Sequence, residues 1–137
     1  DTVGAYKSAE DLYQYMGQIF ALAFETDGLK EKLNATGVTV KLNLSDPDSK
    51  IAVDFGQGIV QFGSDITMDV QVDLDMTADN AHKFWLRQLN VPLATAKRVI
   101  KVHGSVQKVL KLAPLMQPLH DKYHQILKDA GLEEMIG

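Results

Sequence analysis

Ile66-Thr67-Met68-Asp69-Val70-Gln71-Val72-Asp73-Leu74-Asp75-Met76 sets an apolar side chain at every even number and a polar one at every odd number. Side chains alternate between the two faces of a strand, so this run predicts one long strand with an apolar face and a wet face. The same period of two recurs upstream. Val38, Val40, Leu42 and Leu44 alternate with Thr39, Lys41 and Asn43; Ile51, Val53 and Phe55 make a second run; Ile59 to Phe62 makes a short third. Asp46-Pro47-Asp48-Ser49, Gly56-Gln57-Gly58 and Gly63-Ser64 separate these runs and have turn composition. Short turns between sequential strands predict antiparallel neighbours, because parallel neighbours need long crossovers. The stretch from Val38 to Met76 therefore reads as a four-strand meander.

Helical spacing takes over on both sides. Ser8, with Asp11 three residues later, reads as a helix start, and Leu12, Tyr15, Met16, Ile19, Phe20 and Ala23 follow on one face that Phe24 extends. After Gly28, Leu29 to Leu33 predicts one more short turn of helix. Thr77 caps a helix with Asp79 and Asn80 in its first turn and Ala81, Phe84, Trp85, Gln88 and Leu89 inward. Pro92 opens a short helical turn through Ala96, and Arg98 to His103 reads as a fifth strand. That strand arrives through a helical crossover, so parallel pairing with an earlier strand is open to it. Val106, Val109 and Leu110 start a helix that Pro114 ends or kinks. Pro118 suits the first turn of a last helix, whose stripe runs Met116, Leu119, Tyr123, Ile126, Leu127. The order predicts a single α+β domain over residues 1–137, a five-stranded, mainly antiparallel sheet with helices packed on one face.

Composition narrows the function. A chain of 137 residues, 45% apolar and 23% charged, buries a full core without staples. A net charge of −4 argues against a nucleic-acid partner and leaves at most transient membrane contact. With no cysteine there is no disulfide, thiolate nucleophile or Cys-ligated metal. No apolar run has the length of a membrane span, and Asp1-Thr2-Val3-Gly4 does not read as a signal peptide, so the expected compartment is the cytoplasm. The missing initiator Met leaves a chain trimmed from a longer one as an alternative.

Candidate chemistry reads as structure. His120 and His124 share a helical face but lack the Glu of the zinc-protease motif and a third ligand, so they read as two solvated histidines. Asp65, Asp69, Asp73 and Asp75 lie opposite the apolar positions of one strand, and Lys41, Lys97 and Lys101 occupy similar outer positions, which predicts a solvated sheet face with cross-strand pairs. Gly56-Gln57-Gly58 is too short for a phosphate loop, and Ser45, Ser49, Ser64 and Ser105 are turn or cap residues. The reading has no catalytic residue, no metal and no cofactor, and the expectation is a protein that is not an enzyme.

The second half resembles the sterol carrier protein type 2 family. The resemblance is carried by Leu74-Asp75-Met76-Thr77-Ala78-Asp79-Asn80, a strand running into a capped helix, and by Phe84 to Leu89. Leu93 to Gly104 looks like the family's short basic strand closed by Gly, and Leu110-Lys111-Leu112 like its closing helix. With the first helix and the meander, the similarity covers about residues 10 to 116. The chain ends Met135-Ile136-Gly137, unlike the Ser-Lys-Leu-type address of peroxisomal members, and its last helix is longer. The resemblance implies an apolar tunnel between sheet and helices that holds a fatty acid, fatty acyl ester or sterol. The side chains expected to line it are Phe20, Phe24, Phe84, Trp85, Leu89, Ile100, Val102, Leu110, Leu115 and Met116, with the segment from Pro114 onward as a lid. The alternative is a non-catalytic substrate-binding or dimerisation module of a larger enzyme, with homodimerisation left open.

Overall fold

The computed structural model describes residues 5–136; Asp1 to Gly4, where no signal peptide was read, and Gly137 lie outside the described residues. Helix α1 (Ala9–Glu25) starts where Ser8 accepts a hydrogen bond from the Asp11 N–H at 3.1 Å. Helix α2 (Leu29–Thr36) runs a turn further than the sequence predicts and stops at Gly37, which is left-handed with φ 62°. Strands β1 (Thr39–Ser45), β2 (Ser49–Asp54) and β3 (Ile59–Phe62) form the expected antiparallel ladder, with Val40 opposite Val53 and Val53 opposite Val60.

The meander ends there. Only Val72–Thr77 of the long alternating run is a strand, β4, and it pairs in parallel with β1 on the side away from β2, Val40 beside Val72 through Ser45 beside Thr77. A 3₁₀ turn, Gly63–Asp65, and the extended segment 66–71 carry the chain across. Alternation survives in that segment, with Ile66, Met68 and Val70 half-buried and Thr67, Asp69 and Gln71 exposed, although only its last residue, Gln71, bonds to a strand, at Thr39 of β1. Its middle is tied by a side chain. The Gln61 carbonyl oxygen accepts from the Thr67 and Met68 N–H groups at 2.9 and 3.1 Å.

The parallel pairing sorts both faces of the sheet. Val40, Leu42 and Leu44 stand beside Val72, Leu74 and Met76 on the apolar face. On the other face Lys41 pairs with Asp73 at 3.4 Å, and the Asn43 amide reaches both Asp73 and Asp75 at 3.0 Å. This is the solvated face expected from the sequence, although Lys97 is not on a strand but caps a helix.

Helix α3 (Ala78–Trp85) follows β4 directly, capped by Thr77, whose hydroxyl accepts from the Asn80 N–H at 3.1 Å. Helix α4 (Val91–Ala96) leads into β5, which covers only Lys101–His103 rather than starting at Arg98, and which pairs antiparallel with β4, not in parallel. The sheet order is β3-β2-β1-β4-β5, so three of the four pairings are antiparallel. Helix α5 (Val106–Leu112) ends as an α-helix just before Pro114, as the sequence predicts, but the helical run goes on. It tightens into a 3₁₀ stretch, Ala113–Leu119, and continues as α6 (His120–Asp129), so the two prolines change the helix type without breaking the run.

Helices α3 and α4 end in the same way. The Gln88 N–H reaches the Lys83 carbonyl at 2.8 Å and the Arg87 N–H the Phe84 carbonyl; the Val99 N–H reaches Ala94 at 2.8 Å and the Arg98 N–H reaches Thr95. These are Schellman closures, and their left-handed position is filled by Arg87 (φ 64°) and Arg98 (φ 60°), where glycine is the usual residue.

Gly104, by contrast, has no substitute. Its φ is 130°, and a Cβ there would sit 2.7 Å from the Gln71 carbonyl oxygen and 3.2 Å from the Val72 Cα, both backbone atoms. Gly104→Ala is expected to cost about 2–4 kcal/mol, from positive-φ strain plus displacement of β4. Urea unfolding checks this, and a loss under about 0.5 kcal/mol, the size of an ordinary surface substitution, would show that β4 gives way easily.

Candidate functional site

Aromatic side chains meet where α1, α3 and the sheet converge. Phe20 lies edge-on to Trp85 with ring centroids 5.4 Å apart, Trp85 edge-on to Phe84 at 4.9 Å, and Phe24 against Phe55 at 5.9 Å. Trp85 is 2% exposed, which fixes the phase of α3 as the sequence predicts. Beside this cluster lies a cavity of about 90 Å³. Its floor is the apolar face of the sheet, Val40, Leu42, Val53, Leu74 and Met76, with Phe55 just past β2. Its roof is Phe20, Ala81, Phe84 and Trp85, and its outer wall is Leu89, Val91, Ile100, Val109, Leu112, Ala113 and Met116. No lining residue is titratable.

Six of the ten side chains singled out from the sequence line this cavity: Phe20, Phe84, Trp85, Leu89, Ile100 and Met116. The other four lie elsewhere. Phe24 is spent on Phe55 and on the close approach of Gly58. Val102 is half-buried on β5 opposite Leu74, and Leu115 is half-buried against the core. Leu110 faces a neighbouring cleft of about 310 Å³. The residues missed, chiefly Val40, Leu42, Leu74 and Met76, had been marked as the inner face of strands, and only the parallel pairing of β1 and β4 brings them together as one floor.

That cleft shares Phe84, Leu89, Val91 and Ala113 with the cavity, so these four side chains are the partition between the two. Arg87, Asn90, Gln117 and His120 add polar groups to its rim. His120 is not solvated as expected: it is 5% exposed, and its Nδ1–H donates to the Trp85 carbonyl at 2.9 Å, while His124 is half-buried. Burial holds His120 below the ordinary histidine range, against the pull of the Trp85 carbonyl, and Arg87 adds a smaller push in the same direction. Among the described residues no group of three or more His, Cys, Asp or Glu side chains converges as a metal site.

The last helix is core, not cover. Leu119, Tyr123 and Leu127 are fully buried, and of the segment from Pro114 onward only Met116 lines the cavity; the other side chains on this wall, Val109, Leu112 and Ala113, precede Pro114. Tyr123 is fixed by a buried polar chain with one consistent direction. The Met135 carbonyl can only accept, so His82 Nε2 carries the proton at 2.7 Å; His82 Nδ1 then accepts from the Tyr123 hydroxyl at 2.6 Å, and that oxygen accepts from Tyr6. Burial pushes the Tyr6 hydroxyl up to about 12 and that of Tyr123 further still. Burial also holds His82 below its usual range despite the Met135 carbonyl.

The comparisons with known proteins agree with this geometry. The family model described as the SCP-2 sterol transfer family matches residues 17–117. The chain belongs to that family. No curated protein matches it in sequence. Among solved structures it is similar to Sterol Carrier Protein 2 from Yarrowia lipolytica in its apo form, at 13% identity and TM-score 0.65, covering 81% of this chain and 95% of that one. It is similar to palmitated SCP2L2 from Aedes aegypti, at 18% identity and TM-score 0.57, covering 76% and 92%. It also resembles the inverting sec-alkylsulfatase Pisa1 from Pseudomonas sp., at 20% identity and TM-score 0.55; there the match covers 69% of this chain and spans 15% of the enzyme. At these identities the likeness is one of fold. Membership in the SCP-2 family carries lipid or sterol binding as its general property. Among the described residues, no helix is long and apolar enough to cross a membrane.

Two outcomes follow from the buried polar chain. Tyr123→Phe leaves His82 Nδ1 and the Tyr6 hydroxyl without their partner, an expected loss of about 1–3 kcal/mol in urea unfolding. His82 and His120 both bind protons less well folded than unfolded, so their contribution is complete above the ordinary histidine value of about 6.5 and is lost as pH falls from there through their depressed values. The thermal midpoint should therefore drop below about pH 6.5, and His120→Asn, which can still donate to Trp85, should flatten that slope. A midpoint indifferent to pH would show that these rings are solvated.

Proposed function

We propose that the chain binds and carries a long-chain lipid, a fatty acid, fatty acyl ester or sterol, in the cavity between the sheet and α3, α5 and the 3₁₀ stretch. The observation that carries the reading is the lining: an interior space walled only by apolar and aromatic side chains. Such a site recognises by removing methylenes from water, at about 0.8 kcal/mol each, and has little with which to move a proton. The protein is then a carrier and not an enzyme, working in the cytoplasm.

The size of the cavity adds a mechanical requirement. At about 90 Å³ it is smaller than a benzene-binding cavity of roughly 150 Å³, so an acyl chain enters only as the walls part. Met76 and Met116, unbranched and adaptable, stand on opposite walls. Displacement of the four side chains shared with the cleft would join the two spaces into the tunnel that the reading requires. A second reading, a substrate-binding module of a larger enzyme, is favoured by the likeness to one segment of the alkylsulfatase.

Displacement of a fluorescent fatty acid tests the proposal, with Trp85 as an internal reporter. The free protein should emit in the blue, as a buried indole does, and the emission should shift as palmitate is added. A titration flat across fatty acids, acyl esters and sterols would remove the carrier reading.

A further inference from the structure

The cavity leaves the polar end of a ligand unaccounted for. Every side chain lining it is apolar, so the head group of an amphiphile has to rest outside. The space next to it is the cleft of about 310 Å³, behind the partition of Phe84, Leu89, Val91 and Ala113. The rest of the cleft lining divides in two. Pro92, Leu110 and Pro114 continue the apolar walls, while Arg87, Asn90, Gln117 and His120 bring polar groups. No carboxylate lines the cleft, and the sequence has none between Asp79 and Asp121, the stretch to which every lining residue belongs.

These polar groups are mostly donors. Arg87 is exposed and, among the described residues, makes no ion pair. Asn90 gives its side-chain oxygen to the Leu93 N–H at 3.0 Å, where it caps α4, so the NH₂ group is the part of that amide left to donate. Gln117 is exposed on the 3₁₀ stretch and carries a second amide. His120 commits its Nδ1–H to the Trp85 carbonyl, which leaves Nε2 as the acceptor of the neutral ring. A guanidinium meets a carboxylate in two parallel hydrogen bonds, stronger than those to a neutral group.

The backbone decides which arginine is in place for this. Arg87 is the left-handed residue that closes α3, at φ 64°. Arg98 fills the equivalent position after α4, at φ 60°, but lines neither space. The two share a backbone conformation and a side chain and differ in what they face.

We propose that the cleft is the head-group site of the cavity and that Arg87 selects a free carboxylate there, so that the ligand is a fatty acid rather than its ester or a sterol. The proposal rests on the carrier reading and narrows it. The tail crosses the partition into the apolar cavity, and the carboxylate stays on Arg87 with the Asn90 and Gln117 amides beside it. Of the three ligand types, the fatty acid alone ends in a charge that a guanidinium can meet. An ester or a sterol hydroxyl leaves that cation to water.

Titration of Trp85 emission with palmitate, methyl palmitate and cholesterol, with calorimetry alongside, tests this on the full chain. The original chain should bind palmitate about ten-fold or more tightly over the other two. Arg87→Gly removes the guanidinium while suiting the left-handed backbone, so its thermal midpoint should not fall. That variant should bind palmitate about ten- to hundred-fold more weakly, the worth of a charged hydrogen bond, and methyl palmitate as before. Arg98→Gly should change neither affinity. Palmitate binding untouched by Arg87→Gly, an equal loss for acid and ester, or a methyl ester or cholesterol bound as tightly as palmitate by the original chain would overturn the head-group site and leave the carrier reading standing. No heat and no emission change with any of the three would defeat the carrier reading, and the head-group site with it.

Discussion

Six positions of β1, Val40 to Ser45, run beside six of β4, Val72 to Thr77, in the same direction, and the interior depends on that pairing. Had β4 continued the meander, it would have lain beside β3, a four-residue strand whose first residue, Ile59, is exposed. Leu74 and Met76 would then stand at an edge. Beside β1 they meet Leu42 and Leu44 at the middle of the sheet, and α3, which starts at the residue after β4, is placed directly over them. The β2–β3 hairpin and segment 66–71 serve as the crossover that a parallel pair needs.

Two polar networks are kept away from the cavity by where they find partners. On the outer face, Lys41, Asn43, Asp73, Asp75 and His103 form a continuous cross-strand set. Inside, the chain from Tyr6 through Tyr123 and His82 to the Met135 carbonyl joins the N-terminal segment, α6, α3 and the C-terminal tail, and none of its members lines the cavity. Buried polar groups with such partners are inexpensive, and without them they are not. This side of the molecule is crossed by side-chain hydrogen bonds, whereas the other, where α5 and the 3₁₀ stretch supply Leu112, Ala113 and Met116, meets the cavity through apolar packing.

Element identity was legible wherever one face of an element is buried, because burial imposes the period. α1, the β1–β3 ladder, the Thr77 cap and the burial of Trp85 follow directly. Strand partners were not legible. Ile66, Met68 and Val70 alternate for the same reason strand residues do, since an extended chain half-covers a core, but alternation does not reveal whether a ladder lies alongside. His120 was misread because a polar side chain at helical spacing looks solvated until a carbonyl from another helix, here that of Trp85, is known to face it. The cavity was half legible. The aromatic and aliphatic side chains of the helices could be named, whereas the floor required the sheet order.

The Schellman closure of α3 has a consequence for the wall of the cavity. A helix end ordinarily presents carbonyls that hold water, and α3 ends against the cavity through Phe84 and Trp85. Here the Lys83 carbonyl is taken by Gln88, that of Phe84 by Arg87, and that of Trp85 by His120. The acceptors at this helix end are spent on donors of the chain itself, so α3 meets the cavity through Phe84 and Trp85 as an apolar wall. The left-handed backbone at Arg87, costly for a residue with a side chain, is what allows that closure.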